Sequence, residues 1–179
     1  NFKELVTWIN QNKGKINIGN AGIGSASHLC GLLLQNALKV DMTTVPFSGT
    51  APALVSLIGG QIDLLCDQTT QTTQHIKAGT VKLYGVTTRQ RIKALPDAPT
   101  LSEGGLTGYD LTYWVGLFAP KGLPADIQAR LNASVKTALA DPDVQRKLNG
   151  MGMSLVGSTP EQMVQEIRTE TAKLRQIAA

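Results

Sequence analysis

The segment Lys15-Ile16-Asn17-Ile18-Gly19, followed by Asn20-Ala21-Gly22-Ile23-Gly24-Ser25-Ala26-Ser27-His28 and an apolar run from Leu29 to Leu38, restricts the fold more than any other part of this chain. A short apolar strand enters a glycine-containing turn and passes straight into a helix. Such a unit buries its strand only when further strands flank it and helices cover it, which commits the chain to a layered α/β architecture. The turn has a chemical consequence as well. The first N–H groups of a helix lack acceptors within the helix, the peptide dipoles add about half a positive charge there, and glycine lets a ligand approach the backbone closely. A carboxylate or phosphate fits such a place.

The strand–turn–helix order repeats along the chain. Met42 to Val45 reads as a strand ended by Pro46, Pro46 to Thr50 as a turn, and Ala51 to Ile58 as a helix closed by Gly59 and Gly60. Ile62 to Leu65 reads as a third strand. Asp67 opens a polar stretch to Lys77 whose later half reads as a helix, and Val81 to Thr87 reads as a fourth strand. From Arg89 to Tyr109 prolines and glycines mark a long connection with one helical turn at Thr100 to Glu103. The apolar run Leu111 to Phe118 predicts a buried central strand or a strand crossing between lobes. Helices are expected from Pro124 to Ala140, with Ile127, Leu131 and Val135 on one stripe, and after Asp141, which caps a helix with Pro142 at its first position. Met153 to Val156 reads as a short strand. The last helix runs from about Ser158 to Gln176, with Met163, Ile167, Leu174 and Ile177 as its apolar face. The chain opens inside a helix, Phe2 to Gln11, without an initiator methionine, and so reads as processed or truncated.

A length of 179 residues suits one domain or two small ones. The net charge of +4 is mild and dispersed. Its densest spot, Arg89, Arg91 and Lys93, reads as a solvated surface rather than a nucleic-acid footprint. No apolar run reaches the ~18 residues of a membrane span. Among chemical motifs, Gly22 and Gly24 supply part of a dinucleotide fingerprint, but Ser27 holds the third glycine position and Asp41 precedes the second strand instead of ending it. No phosphate-binding Gly-Lys-Ser or Gly-Lys-Thr occurs, and no G-x-S-x-G elbow. Ser25, His28 and Asp67 are the residues a hydrolase would use. Two His and two Cys without C-x-x-C or H-x-x-x-H spacing make a poor metal set. Cys30 and Cys66 are either a disulfide or a buried pair of thiols, since adjacent β/α units bring such positions side by side.

The remaining constellation binds without catalysing. Ligands of open α/β sheets sit at the carboxyl ends of the strands. There the turn Ala21–Ser25 offers N–H groups and the Ser25 hydroxyl, with His28 beside it. The second turn offers the flat wall of Phe47 and close approach at Gly49. The third offers Asp67, which is equally a helix N-cap, and Gln68.

In order along the chain, Gly19-Asn20-Ala21-Gly22-Ile23-Gly24-Ser25-Ala26-Ser27-His28-Leu29, Val45-Pro46-Phe47-Ser48-Gly49-Thr50-Ala51-Pro52-Ala53, Gly59-Gly60-Gln61-Ile62-Asp63 and Cys66-Asp67-Gln68-Thr69-Thr70 share a pattern with one family. So do Leu95-Pro96-Asp97-Ala98-Pro99-Thr100-Leu101-Ser102-Glu103-Gly104-Gly105, Trp114-Val115-Gly116-Leu117-Phe118-Ala119-Pro120 and Gly157-Ser158-Thr159-Pro160-Glu161. With these motifs the whole chain resembles the substrate-binding proteins of tripartite tricarboxylate transporters, the Bug family. The resemblance implies a two-lobed α/β fold of the periplasmic-binding-protein type II kind, present here as one complete lobe plus the C-terminal part of the other. Residues 1–10 would end a lobe-one crossover, 11–109 form lobe two, and 110–179 return to lobe one. It further implies a periplasmic, non-enzymatic receptor without cofactor, which hands a small carboxylate to the permease subunits of its transporter. The ligand positions it implies are Ala21, Gly22, Ile23, Gly24, Ser25 and His28, with Phe47, Gly49, Asp67 and Gln68. Phe47 stands where tyrosine is common in the family, so one hydroxyl is missing. The family's further N-terminal segment is also missing, which predicts a half-site, an exposed apolar lobe-one surface and self-association of the truncated chain.

Overall fold

The computed structural model describes residues 1–178, without the side chains of Lys173, Gln176, Ile177 and Ala178, so the expected place of Ile177 on the last helix's apolar face lies outside the described residues. The chain divides into two compact units, Asn1–Tyr113 and Trp114–Ala179.

The first unit is built around a three-stranded parallel sheet of order β2-β1-β3, with β1 at Asn17–Asn20, β2 at Thr43–Pro46 and β3 at Leu64–Leu65. The registers Ile18↔Thr44 and Ile18↔Leu64 place β1 in the middle. That position explains its burial from Ile18 to Asn20. Each strand leads into a helix: α2 (Ala26–Leu38), α3 (Thr50–Ile58) and α4 (Thr69–Lys77). Helix α1 (Phe2–Gln11) starts on a capping box, with Asn1 accepting from the Glu4 N–H at 3.0 Å. Its buried Phe2, Leu5 and Ile9 recur at helical spacing and join the core with Ile16, Ile18 and Leu34. Helix α4 starts at Thr69, earlier than the polar composition of its first half suggested.

Three expected strands are absent among the described residues. Val81–Thr87 shrinks to one parallel bridge, Val86↔Thr100, fixed by the Val86 N–H to Pro99 O and the Leu101 N–H to Val86 O, both 2.9 Å. The sheet ends at β3, so the rest of that segment has no ladder to join. Val86 packs instead with Leu95 and Ala98 of the following connection in a small core of their own. Leu111–Phe118 is irregular and open, with Val115 68%, Leu117 70% and Phe118 67% exposed. Met153–Val156 is likewise irregular, and Val156 is 83% exposed. A strand exists only by pairing with a neighbour, and no strand among the described residues pairs with either segment; Leu111 alone exchanges bonds with Thr87 at the edge of the first.

The second unit carries α5 (Ala125–Ala140), α6 (Pro142–Gly150) and α7 (Pro160–Ala178). Local signals set their ends. Asp141 accepts from the N–H groups of Asp143 at 2.9 Å and Val144 at 3.1 Å, with Pro142 at the first position of α6. Thr159 and Gln162 cap each other before α7. No described residue of this unit is buried. Its amphipathic stripes are only partly covered: Val135 and Leu139 of α5 are half-buried, while Ile127 and Leu131 are 39% and 44% exposed. No helix among the described residues is long and apolar enough to cross a membrane.

Candidate functional site

Because the sheet is parallel, the turns after β1, β2 and β3 all emerge at one end, and three helices begin there. Side chains stitch these turns together. Asn20, buried at the end of β1, accepts from the Gly22 N–H at 2.9 Å and donates to Val45 O at 3.4 Å, while the Phe47 N–H donates to Asn20 O at 2.9 Å. These bonds tie the first turn to the second. Ser27, buried at the start of α2, donates to Cys66 O at 2.6 Å and ties the first turn to the third. Thr50 donates to Asp67 Oδ1 at 3.0 Å and ties the second to the third. Cys30 and Cys66 are bonded to one another with Cα atoms 5.9 Å apart, which fastens α2 to the end of β3. Tyr109 closes the rear of this corner, donating to Cys30 O at 3.4 Å, and its burial pushes the phenol well above its ordinary pKa.

Within the first turn, Gly22 and Gly24 hold φ values of +119° and +80°, a region open to glycine at little cost. Their N–H groups are already engaged: Gly22 donates to Asn20 Oδ1 and Gly24 to His28 Nδ1 at 3.2 Å. The Ser25 N–H donates to Gly22 O, and Ser25 Oγ caps α2 by accepting from the His28 N–H at 3.1 Å. That leaves the N–H groups of Ala21, Ile23, Ala26 and Ser27 without an acceptor among the described residues. At the start of α3 the same holds for Thr50 and Ala51, since Gly49 offers no side-chain cap, and at the start of α4 for Thr70. A Cβ at Gly24 or Gly49 would meet nothing within 4 Å, so the mouth is open at both. Phe47 lies half-buried across Gly19, its ring Cε2 3.3 Å from where a Gly19 Cβ would stand. Ile23, at the tip of the first turn, is 81% exposed.

Asp67 is not the N-cap of α4; Gln68 occupies that position, and its N–H donates to Asp67 Oδ1 at 2.7 Å. Asp67 Oδ2 is buried without a partner. Burial raises the carboxyl above its ordinary value, against the opposing pull of the Gln68 N–H and the Thr50 hydroxyl.

This geometry also bears on the two catalytic or cofactor readings. The Ser25 hydroxyl serves as a cap, and the near nitrogen of His28 is occupied by an amide, so the two do not form a nucleophile and its base. Asp41 precedes β2 and hence lies at the opposite end of the sheet from the glycine turn, where no ribose bound at that turn would reach it. No group of three or more His, Cys, Asp or Glu able to hold a metal occurs among the described residues. Sequence reasoning singled out the glycines but missed Asn20, Ser27, Thr50, Ala26 and Ala51. The available signal was polar residues placed where strand ends must be buried.

The profile of a family described as "Tripartite tricarboxylate transporter family receptor" matches residues 1–179. An Agrobacterium vitis protein described as "UPF0065 protein in the TAR-I ttuE-ttuC' intergenic region" is 45% identical over 98% of this chain and 52% of its own length. The solved periplasmic binding protein BugD is 42% identical with a TM-score of 0.89, over 98% of this chain and 59% of that one. MatC from Rhodopseudomonas palustris with bound malate is 38% identical with a TM-score of 0.85, over 99% of this chain and 61% of that one. The chain thus spans about half the length of the curated relative (52%).

Proposed function

Because the chain belongs to the tripartite tricarboxylate transporter receptor family, we propose that it is the ligand-holding part of a periplasmic solute receptor which binds a small carboxylate and presents it to the membrane permease of such a transporter. The observation that carries this reading is the convergence of three helix N-termini, α2, α3 and α4, at the carboxyl end of one parallel sheet, with unpartnered N–H groups at each. A carboxylate accepts several such donors, and the helix dipoles favour its charge. Backbone donors recognise the charged head without regard to the rest of the molecule. Phe47 and Ile23 then meet whatever hydrocarbon follows. The malate in MatC is an acid of this kind.

Residues 11–109 are lobe two on this reading, with 1–10 and 110–179 belonging to lobe one. That no described residue of the second unit is buried, and that the chain spans 52% of its Agrobacterium vitis relative, support the view that lobe one is larger than residues 1–10 and 110–179. On its own the chain is then a half-site of about millimolar affinity, and its uncovered apolar faces drive self-association.

A thermal-shift screen tests the reading with dicarboxylates, tricarboxylates, acidic amino acids and aromatic acids, each beside its amide. An acid at 20-fold excess over a millimolar dissociation constant adds about 2 kcal/mol and raises the midpoint, and its amide does not. A response to nicotinamide nucleotides, or turnover of esters, with silence from every acid, would replace this proposal with a cofactor or hydrolase reading.

A further inference from the structure

His28 has a role that the sheet and the helix termini do not fill. An amide N–H can only donate, so the 3.2 Å bond from Gly24 requires a lone pair on His28 Nδ1. A neutral ring accepting there carries its proton on Nε2. The His28 N–H in turn donates to Ser25 Oγ at 3.1 Å, so that one residue engages both ends of the segment Gly24–Ser25. From the other side, Asn20 Oδ1 accepts from Gly22 at 2.9 Å. Ile23 has no such restraint, and its 81% exposed side chain contributes almost no packing to hold the turn. With φ values of +119° and +80° at its two glycines, the turn also lacks the steric bias that side chains would give it.

We infer that His28 is a positioning residue, its imidazole acting as the clamp that holds the Gly22–Ser25 turn in the form that leaves the Ile23, Ala26 and Ser27 N–H groups directed to an anionic ligand. This inference rests on the carboxylate-receptor reading for its purpose but not for its geometry. The clamp needs the acceptor at Nδ1 and nothing further out on the ring. Asparagine places an oxygen at nearly the same distance from the backbone as Nδ1. Glutamine reaches the position of Nε2 and misses the clamp.

The test compares the protein with its His28→Asn, His28→Gln and His28→Phe variants by NMR and by titration with L-malate. In the unaltered protein at neutral pH, the imidazole nitrogen spectrum should show Nδ1 unprotonated and Nε2 protonated. The Gly24 amide should exchange slowly, stay slow in His28→Asn, and exchange at least ten times faster in His28→Gln and His28→Phe. Malate affinity should fall 3- to 10-fold in the latter two, the worth of about one hydrogen bond, and recover most of that in His28→Asn. A proton on Nδ1, a Gly24 amide indifferent to His28→Phe, or an asparagine variant as weak as phenylalanine overturns the clamp. If no variant and not the parent binds malate or any other acid, the receptor reading fails, while the ring tautomer and the Gly24 exchange still decide the clamp.

Discussion

The Thr50 hydroxyl donates to Asp67 Oδ1 across 3.0 Å, joining the residue that starts α3 to the turn that follows β3. The bond is made inside the corner: Thr50 is 8% exposed, and the second oxygen of Asp67 has no partner. Two of the three turns that form the site are thereby held in a fixed relation before any ligand arrives, which lowers the ordering cost of binding.

Replacing Thr50 with valine keeps the shape and removes the donor. A hydrogen bond to a charged group contributes about 1.5–3 kcal/mol. Half-burial of Asp67 reduces this, and the expected loss is about 1–2 kcal/mol in urea unfolding. A Thr50→Val variant as stable as the parent would show that the two turns are held by the backbone alone.

The pH dependence of Asp67 has a definite sign. Its carboxyl is held above the ordinary value of 3.8, chiefly by burial. The folded state therefore favours the protonated form. The stabilisation is complete below 3.8 and is lost as pH rises through the raised value. Asp67→Asn has no such loss, so its stability relative to the parent should increase as pH goes from 3.5 to 7. A difference that stays flat, or that runs the other way, contradicts the assignment of burial as the leading cause.

Cys30 and Cys66 are 36 residues apart in sequence. Closing a loop of that length in the unfolded chain is worth about 3–4 kcal/mol by the chain-entropy estimate. Intact mass should show two hydrogens fewer than the dithiol, and reductant should restore them and lower the thermal midpoint. Because the bond ends next to Asp67, reduction should also change the Gln68 and Thr70 amide signals more than those of Thr50 and Ala51. Two free thiols per chain in the untreated sample would exclude the bond.

Most helix ends in both units are legible in the sequence because their signals are local. Asn1 with Glu4, Ser25 before α2, Gly59 after α3, Asp141 with Pro142, and Thr159 with Gln162 each mark a helix end by a bond within a few residues. What was misread depends on distant partners. Leu111–Phe118 has the composition of a buried strand, but a strand needs a ladder, and composition does not say where the ladder is. The site divides in the same way. Gly22 and Gly24 announced a tight turn, yet which amides remain open follows from Asn20 and His28, whose partners are set by tertiary structure. Asp67 reads equally as a ligand contact and as a helix cap, since acidic residues commonly precede helices, and the cap position went to Gln68. Its carboxylate instead accepts from the adjacent Gln68 N–H and from Thr50, which lies 17 residues earlier.

The central claim is that a carboxylate sits on the open amides of three helix N-termini. Titrating the isotope-labelled protein with L-malate and following its amide signals tests it most directly. The account predicts saturable shifts led by Ile23, Ala26 and Ser27 at α2, Thr50 and Ala51 at α3, and Thr70 at α4, with Gly22 and Gly24 moving less because their N–H groups are already bonded. Saturable shifts centred elsewhere in the chain, with these amides unmoved, would contradict it.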